Sequence, residues 1–235
     1  MDIPFVGPSY NGRYTSLSAQ RCVNWYLEVD KTPDKTPMAL VPTPGLKLWT
    51  TLGSNPIRGM HVIQHGASAG AAVYVVTGDV LYSLNNDKTA TVIGRLNSGD
   101  GPVGMEDNGT DLLVSDGQYQ SKTAESYVYE TDTGKFNKLN DSSAIGYQPA
   151  APRSSHPVFI DSYLFLNSIN TGEIYISASQ DGSTWDGSYA TAESAPDNIV
   201  AMAALRGELW LFGELSTEVW ANAAAEGFPF SPIPG

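Results

Sequence analysis

The sequence predicts an all-β fold, a β-propeller, and three observations support this fold class. Of the 235 residues only 16% are charged, while 23 are Gly and 15 are Pro, which is typical of a fold rich in strands and tight turns. One strand-like segment recurs four times, and its hairpin partner recurs with starts 46, 47 and 44 residues apart. A period of about 45 residues indicates successive four-stranded blades. The first segment occurs as Val73–Val76, Leu112–Ser115, Tyr163–Leu166 and Leu209–Phe212, and its partner as Leu81–Leu84, Tyr127–Glu130, Ile174–Ser177 and Glu218–Ala221.

Residues 1–57 are predicted to form an extended N-terminal arm rather than a repeat unit. Prolines interrupt this segment at Pro33, Pro37, Pro42 and Pro44, and proline cannot donate a hydrogen bond within a sheet. Two short strands are expected between these breaks. They are Cys22–Val29, whose side chains alternate between two faces, and Leu46–Trp49.

Residues 58–235 provide about four blades, which is at the lower limit for a closed propeller. We expect the chain to be truncated at its C-terminus and to form part of a larger propeller; the alternative is a ring that another segment completes. The segment Asn198–Arg206 has a helix-like composition, but we interpret it as the innermost strand of a blade. A sandwich of two sheets is the alternative architecture.

Charge and composition exclude several function classes. Residues 1–58 contain six basic and four acidic side chains, a net charge of +2, whereas the remainder contains seven and twenty-one, a net charge of −14. The strongly negative residues after 58 should repel duplex DNA. A channel through which DNA slides without binding remains compatible with this charge. We expect no membrane span and no signal peptide. Cys22 is the only cysteine, which fits assembly in a reducing cytoplasm.

The residues point to no catalytic, cofactor or metal site. His61 and His65 lie four apart in a segment that we interpret as strand and turn, and no carboxylate has the spacing of a known zinc motif. The third histidine, His156, lies far from them in the sequence. The Asp-rich segments resemble hairpin tips more than calcium loops. We therefore predict that the protein is not an enzyme.

The segment Ser179–Trp185 resembles the Asp-box turn of sialidase-like propellers, shortened by one residue. We expect Ser179 and Asp181 to accept amide hydrogens, Gly182 to supply an unusual φ, and Trp185 to pack against the blade. In such folds the turn is structural. A carbohydrate-active or glycan-binding propeller remains the alternative function, although arginines for a substrate carboxylate are scarce after residue 58.

Aromatic side chains next to prolines in irregular segments often anchor protein–protein interfaces. Such side chains are Trp25, Tyr26 and Trp49 in the arm, and Phe228 and Phe230 near the end of the chain. We consider these five residues a candidate partner interface. The alternative is that they cover the open ends of the propeller.

Several ordered segments together give the chain a family resemblance. They are Val23–Tyr26, Thr43–Leu46, Gly59-Met60, Val73–Gly78 with Leu81-Tyr82, Asp181–Trp185, Ala192–Asp197, Leu211–Gly213, Thr217–Trp220 and Phe228–Phe230. In this order they resemble the packaged-DNA stabilisation family of short-tailed phages, whose members are tail accessory or head-closure proteins. The resemblance extends over essentially the whole chain.

This resemblance implies a virion structural protein of the tail or neck, assembled in the host cytoplasm. It implies a ring of identical subunits, a hexamer in the family, that lies beneath the portal. Such a ring would extend the DNA channel, retain the packaged genome and dock the tail spike or fibre and the plug or needle. DNA would pass through it without sequence recognition. The family has no known catalytic residues.

Overall fold

A computed structural model describes residues 23–29, 38–64, 71–117, 125–139 and 151–233. The chain divides into two compact units, residues 1–49 and 50–235. All regular structure in the described ranges is β-strand, in agreement with the predicted fold class. The described part of the chain therefore contains no helix that is long and apolar enough to cross a membrane. The separate roles predicted for residues 1–57 and 58–235 remain predictions.

In the first unit two strands form an antiparallel ladder. They are β1 (Trp25–Val29) and β2 (Met38–Pro42), with Trp25 opposite Pro42 and Val29 opposite Met38. The predicted strand Leu46–Trp49 is wrong, because this segment is irregular and its leucine side chains are largely exposed. Strand β2 was not predicted, because Pro42 was taken as a breaker. In a sheet of two strands β2 is an edge strand, where proline is tolerated.

The second unit contains four sheets of four antiparallel strands, and in each sheet every strand bonds to the next one along the chain. Blade 1 comprises β3 (Ile57–Gln64), β4 (Ala71–Thr77), β5 (Val80–Leu84) and β6 (Ala90–Arg95); blade 2 comprises β7 (Gly104–Asp107), β8 (Asp111–Ser115), β9 (Ser126–Glu130) and β10 (Lys135–Lys138). Blade 3 comprises β11 (Pro157–Ile160), β12 (Tyr163–Asn167), β13 (Glu173–Ile176) and β14 (Tyr189–Thr191); blade 4 comprises β15 (Ile199–Leu205), β16 (Glu208–Gly213), β17 (Thr217–Asn222) and β18 (Phe230–Pro232).

The repeated segments of the sequence are the second and third strands of these blades. Each recurring pair lies in one hairpin, β4–β5, β8–β9, β12–β13 or β16–β17. The ambiguous segment Asn198–Arg206 is the strand β15 and not a helix, as we predicted. First strands of consecutive blades contact each other, β3 with β7, β7 with β11, and β11 with β15. This sequential arrangement is the one expected of propeller blades.

Among the described residues, three hydrophobic cores lie between consecutive blades. The first joins blades 1 and 2 through residues such as Tyr74 and Leu112, and the second joins blades 2 and 3 through Leu113 and Leu164. The third joins blades 3 and 4 through Phe165 and others. Neighbouring residues of a strand point to opposite faces, so Leu112 and Leu113 enter different cores. This explains why the central strands of blades 2 and 3 are continuously apolar rather than alternating.

Candidate functional site

Several buried polar groups of the second unit lie where one blade meets the next. The most extensive example is Arg58 at the start of β3, whose side chain is only 3% exposed. Its guanidinium donates to the carbonyl oxygens of Gly78 and Gly101, each at 2.7 Å, and to Oδ1 of Asp116 at 2.7 Å. It also donates to both the carbonyl and the hydroxyl of Ser98.

Asp116 completes this cluster from blade 2, directly after β8. Its fully buried carboxylate accepts hydrogen bonds from the backbone N–H and the hydroxyl of Ser98, at 2.7 and 2.6 Å. One ion pair thus ties the first strand of blade 1, the connecting segment and the second strand of blade 2. Nothing in the local sequence singled out Arg58, because its partners lie between 20 and 58 residues away along the chain.

Toward the later blades, a single polar side chain takes the place of an ion pair. One is the neutral Asn167 and the other is the carboxylate of Asp197. At the end of β12, the buried Oδ1 of Asn167 accepts from the backbone N–H groups of Ser155 and His156, at 3.2 and 3.0 Å. Between blades 3 and 4, Oδ2 of Asp197 accepts from the N–H groups of Leu215 and Ser216, at 2.6 and 2.9 Å. The pKa of Asp197 lies below its ordinary value. The main cause is the hydrogen bond from the Leu215 N–H, and hydrogen bonds from Ser216 add to it.

The predicted structural turn follows β13 and folds back on itself. Asp181 accepts from the N–H and hydroxyl of Ser183, at 2.8 and 2.7 Å, and the Trp185 indole donates to the Gly182 carbonyl at 2.9 Å. Partial burial opposes ionisation of Asp181, but hydrogen bonds from Ser183 and Thr184 lower its pKa. Trp185 is fully buried. Ser179 begins the turn, and its role as an acceptor remains a prediction.

The role predicted for Gly182 is wrong in one respect. The residue of this turn with positive φ is Gln180, at 63°, whereas Gly182 is absent from the positive-φ residues. Gly182 is instead required by space, because a Cβ there would lie 2.8 Å from Cδ1 of Leu164 and 3.0 Å from Cβ of Asp111. Its own N–H donates to Oδ2 of Asp111 at 2.8 Å.

This last bond makes the turn a contact between blades, which the motif alone did not predict. Asp111 begins β8 in blade 2, and Asn108 of the same hairpin donates to the Gln180 carbonyl at 3.3 Å. Burial raises the pKa of Asp111, while the Gly182 N–H and the Asn108 amide act in the opposite direction. The turn of blade 3 is therefore fixed to blade 2 by a buried carboxylate.

The sequence suggested His65 as a partner of His61, but the contact that the structure shows is with Asp107. Nε2 of His61 lies 2.5 Å from Oδ2 of Asp107, across the contact between β3 and β7, while His65 lies outside the described residues. Glu106 precedes Asp107 in the chain. Burial is the main cause that raises the pKa of Glu106, and the nearby His61 partly offsets this increase. His156 is separate: its Nδ1 lies 2.8 Å from the Ser155 hydroxyl, and burial lowers its pKa.

The candidate interface aromatics fall into two groups. Trp25, Tyr26 and Trp49 are each about half exposed, at 50%, 49% and 45%. Phe230 is only 3% exposed and Phe228 packs against the same core, where both rings contact Phe165 edge-on. A partner interface needs exposed side chains, so the buried Phe230 does not fit the candidate interface predicted from the sequence. It pairs through β18 with β17, which turns its ring into the core between blades 3 and 4.

A cavity of about 660 Å³ lies between the last strand of blade 3 and blade 4. Glu218 is its most buried acid, and both of its carboxylate oxygens already accept hydrogen bonds. One accepts from the Ser194 N–H at 2.6 Å and the other from the Trp220 indole at 2.8 Å. This geometry makes Glu218 a brace between segments.

Comparisons with known proteins give one informative result. No curated protein sequence matches the chain significantly. Solved structures with a partial likeness include a nidogen/laminin complex (11% identity, 68% of this chain, TM-score 0.44) and BBS1N in complex with ARL6DN (11%, 84%, 0.48). A humanised mutant of the Chaetomium thermophilum Polycomb Repressive Complex 2 is a third (10%, 89%, 0.48). The chain spans only 58%, 61% and 46% of their respective lengths, and likenesses this distant carry no argument.

The comparison with protein families is informative, because one family model matches the whole chain. The model of a phage stabilisation family, described as bacteriophage P22 Gp10, β-propeller, matches residues 1–235. This description agrees with the four blades and with the resemblance found in the sequence. The chain belongs to the bacteriophage P22 Gp10 β-propeller family of packaged-DNA stabilisation proteins.

Proposed function

We propose that this phage structural protein acts at the head–tail junction, in the tail or neck of the virion. There it extends the portal channel, retains the packaged DNA and provides a docking platform for tail components. The observation that carries this proposal is the family match over the whole chain. The role is mechanical, and we propose that it requires no reactive centre.

The contacts between blades support a mechanical role. A part that retains compressed DNA must resist deformation, and the blades here are joined both by apolar cores and by buried polar bonds. Full burial of one Leu, Ile or Phe side chain stabilises by about 1.5–3 kcal/mol. A buried ion pair such as Arg58–Asp116 adds directional constraint rather than net stability.

The charge distribution supports passage of DNA rather than binding. The net charge after residue 58 is −14, with twenty-one acidic and seven basic side chains. Specific or non-specific binding to duplex DNA depends on basic groups that neutralise phosphates. An acidic wall would let DNA slide without adhesion, provided that the acidic body faces the channel.

We further propose that identical subunits assemble into a ring, a hexamer by analogy with the family, and that the first unit mediates contacts with neighbouring subunits, the portal or an adaptor. The half-exposed Trp25, Tyr26 and Trp49 are the candidate contact residues. The tail spike or fibre and the plug or needle would dock elsewhere on the ring. Deleting residues 1–40 should abolish assembly on portal complexes; normal assembly would refute this role for the arm.

Retention of DNA is the direct test of the function. Phage particles assembled without this chain should package DNA and then lose it, so that the genome becomes sensitive to added nuclease. Adding the purified full chain before nuclease treatment should restore protection. Particles that keep their DNA equally well without the chain would contradict the proposal. Release of sugar from host glycans by the pure protein would instead favour a carbohydrate-active propeller.

A further inference from the structure

We propose that His61, Glu106 and Asp107 bind a divalent transition-metal ion, with Zn²⁺ as the reference ion, between blades 1 and 2. His61 lies on β3, whereas Glu106 and Asp107 lie on β7, and these are the contacting first strands of the two blades. The ligand atoms of the three side chains lie within 4.8 Å of one another. Such a site lies beyond the stabilisation role and is independent of it.

The exposure of this cluster suits an exchangeable ion. The side chains of His61 and Asp107 are 20% and 19% exposed, so the cluster is neither sealed nor freely hydrated. An ion could enter from solvent, and it would lose only part of its hydration shell. The site would leave at least one coordination position to water, as open zinc sites do.

The donor set selects the class of ion. One imidazole nitrogen with two carboxylate oxygens suits Zn²⁺ and neighbouring transition metals, whereas Ca²⁺ and Mg²⁺ prefer oxygen ligands alone. The present distance of 2.5 Å between His61 Nε2 and Asp107 Oδ2 is that of a hydrogen bond. Two ligands of one tetrahedral zinc ion lie about 3.4 Å apart, so a small separation of the two side chains would admit the ion.

Electrostatics favour occupation by a dication. Glu106 and Asp107 are successive residues, and their ligand atoms and that of His61 all lie within 4.8 Å of one another. Neighbouring carboxylate charges repel each other, and a bound dication relieves that repulsion. A bound Zn²⁺ balances both and joins β3 to β7. Because it binds only the folded arrangement, it should stabilise the propeller unit.

The test measures Zn²⁺ binding to the full chain after chelator treatment, by isothermal titration calorimetry and by the shift in thermal unfolding midpoint. We expect one Zn²⁺ per chain and an upward shift in the midpoint. His61→Ala and Asp107→Asn should each lower the affinity by about 100-fold or more, since even ligand-supporting residues contribute 10–100-fold. Co²⁺ should produce visible absorption that these variants lose.

Matched variants separate this site from other zinc ligands of the chain. His156→Ala removes a histidine that already contacts Ser155, and it should bind Zn²⁺ like the parent chain. Circular dichroism tests whether each variant is folded. If His61→Ala does not fold, His61→Gln replaces it in the binding experiments. The proposal is overturned if the parent chain binds no Zn²⁺. It is equally overturned if folded His61 variants bind normally while Cys22→Ser or His65→Ala abolishes binding.

Discussion

At the residue scale, the Arg58–Asp116 pair makes the sharpest prediction. Replacing Arg58 by Met keeps most of the side-chain volume but leaves the fully buried Asp116 carboxylate without its cation. Breaking a buried pair from one side costs about 3–5 kcal/mol of unfolding free energy. Urea denaturation of the variant should therefore show a large loss of stability.

Arg95 provides the matched control, because its ion pair with Asp79 lies at the surface, with side chains 70% and 41% exposed. Arg95→Met should cost less than about 1 kcal/mol. Equal losses for the two variants would show that the Arg58 pair does not hold the blades together.

Gly182 tests whether the turn of blade 3 is packed against blade 2. A Cβ at this position meets Leu164 and Asp111, so Gly182→Ala should destabilise the fold by about 1–3 kcal/mol through overpacking. Gly99 has ordinary φ, and the nearest atom to a Cβ there is 4.0 Å away. Gly99→Ala should therefore stay within about 0.5 kcal/mol in the same chemical denaturation experiment. A neutral Gly182→Ala would mean that the turn is loose.

The lowered pKa of Asp197 predicts a pH dependence. A carboxyl whose pKa is lower in the folded than in the unfolded chain stabilises the fold above the ordinary value of 3.8, and this contribution disappears as pH falls through the folded pKa. The stability gap between the parent chain and Asp197→Asn should thus be largest near neutral pH and shrink below about pH 4. Asp132→Asn, at an exposed position, is the control and should follow the parent chain. A gap independent of pH would contradict the assigned charge effect.

Local motifs and long-range partners differ in what a sequence can predict. Asp181 and Trp185 could be recognised because their partners lie within a few residues of them. Asp111 could not, since its bond to Gly182 spans 71 positions, and neither could the His61–Asp107 contact, which spans 46. Such pairs form only when neighbouring blades pack against each other. A single sequence does not show which residues of two blades will meet.

At the element scale, the repeat predicted the two central strands of every blade correctly. In blades 2 and 3 these strands are apolar on both faces because each face enters a different core, so their composition is conspicuous. The first and fourth strands have weaker signals; β14 and β18 contain only three residues each. In the arm, Leu46–Trp49 was wrongly predicted as a strand because its apolar pattern has no partner strand in the described structure.

Strand β16 allows a direct test of the two-faced packing. Leu211 is 1% exposed in the core between blades 3 and 4, while its neighbour Phe212 points to the other face and is 37% exposed. Leu211→Ala should cost about 2–5 kcal/mol, and Phe212→Ala, although it removes more atoms, should cost clearly less. Urea unfolding of both variants measures the difference. A larger loss for Phe212→Ala would mean that its face is covered in solution.

At the scale of the whole molecule, apolar cores and polar contacts connect the four blades in one series. Each core receives side chains from two consecutive blades, and the Arg58–Asp116 and Gly182–Asp111 contacts bridge the first two of these boundaries. Residues 50–235 form one compact unit for this reason. This continuity fits the mechanical role that we propose for the protein in the virion.

A cryo-electron-microscopy reconstruction of the assembled phage particle tests the central claim most directly. We predict density at the head–tail junction for this chain, with four successive four-stranded blades whose first strands lie innermost. A reconstruction in which the chain is missing from the particle, or lies away from that junction, would contradict the proposed role. Two stacked sheets in place of blades would contradict the fold.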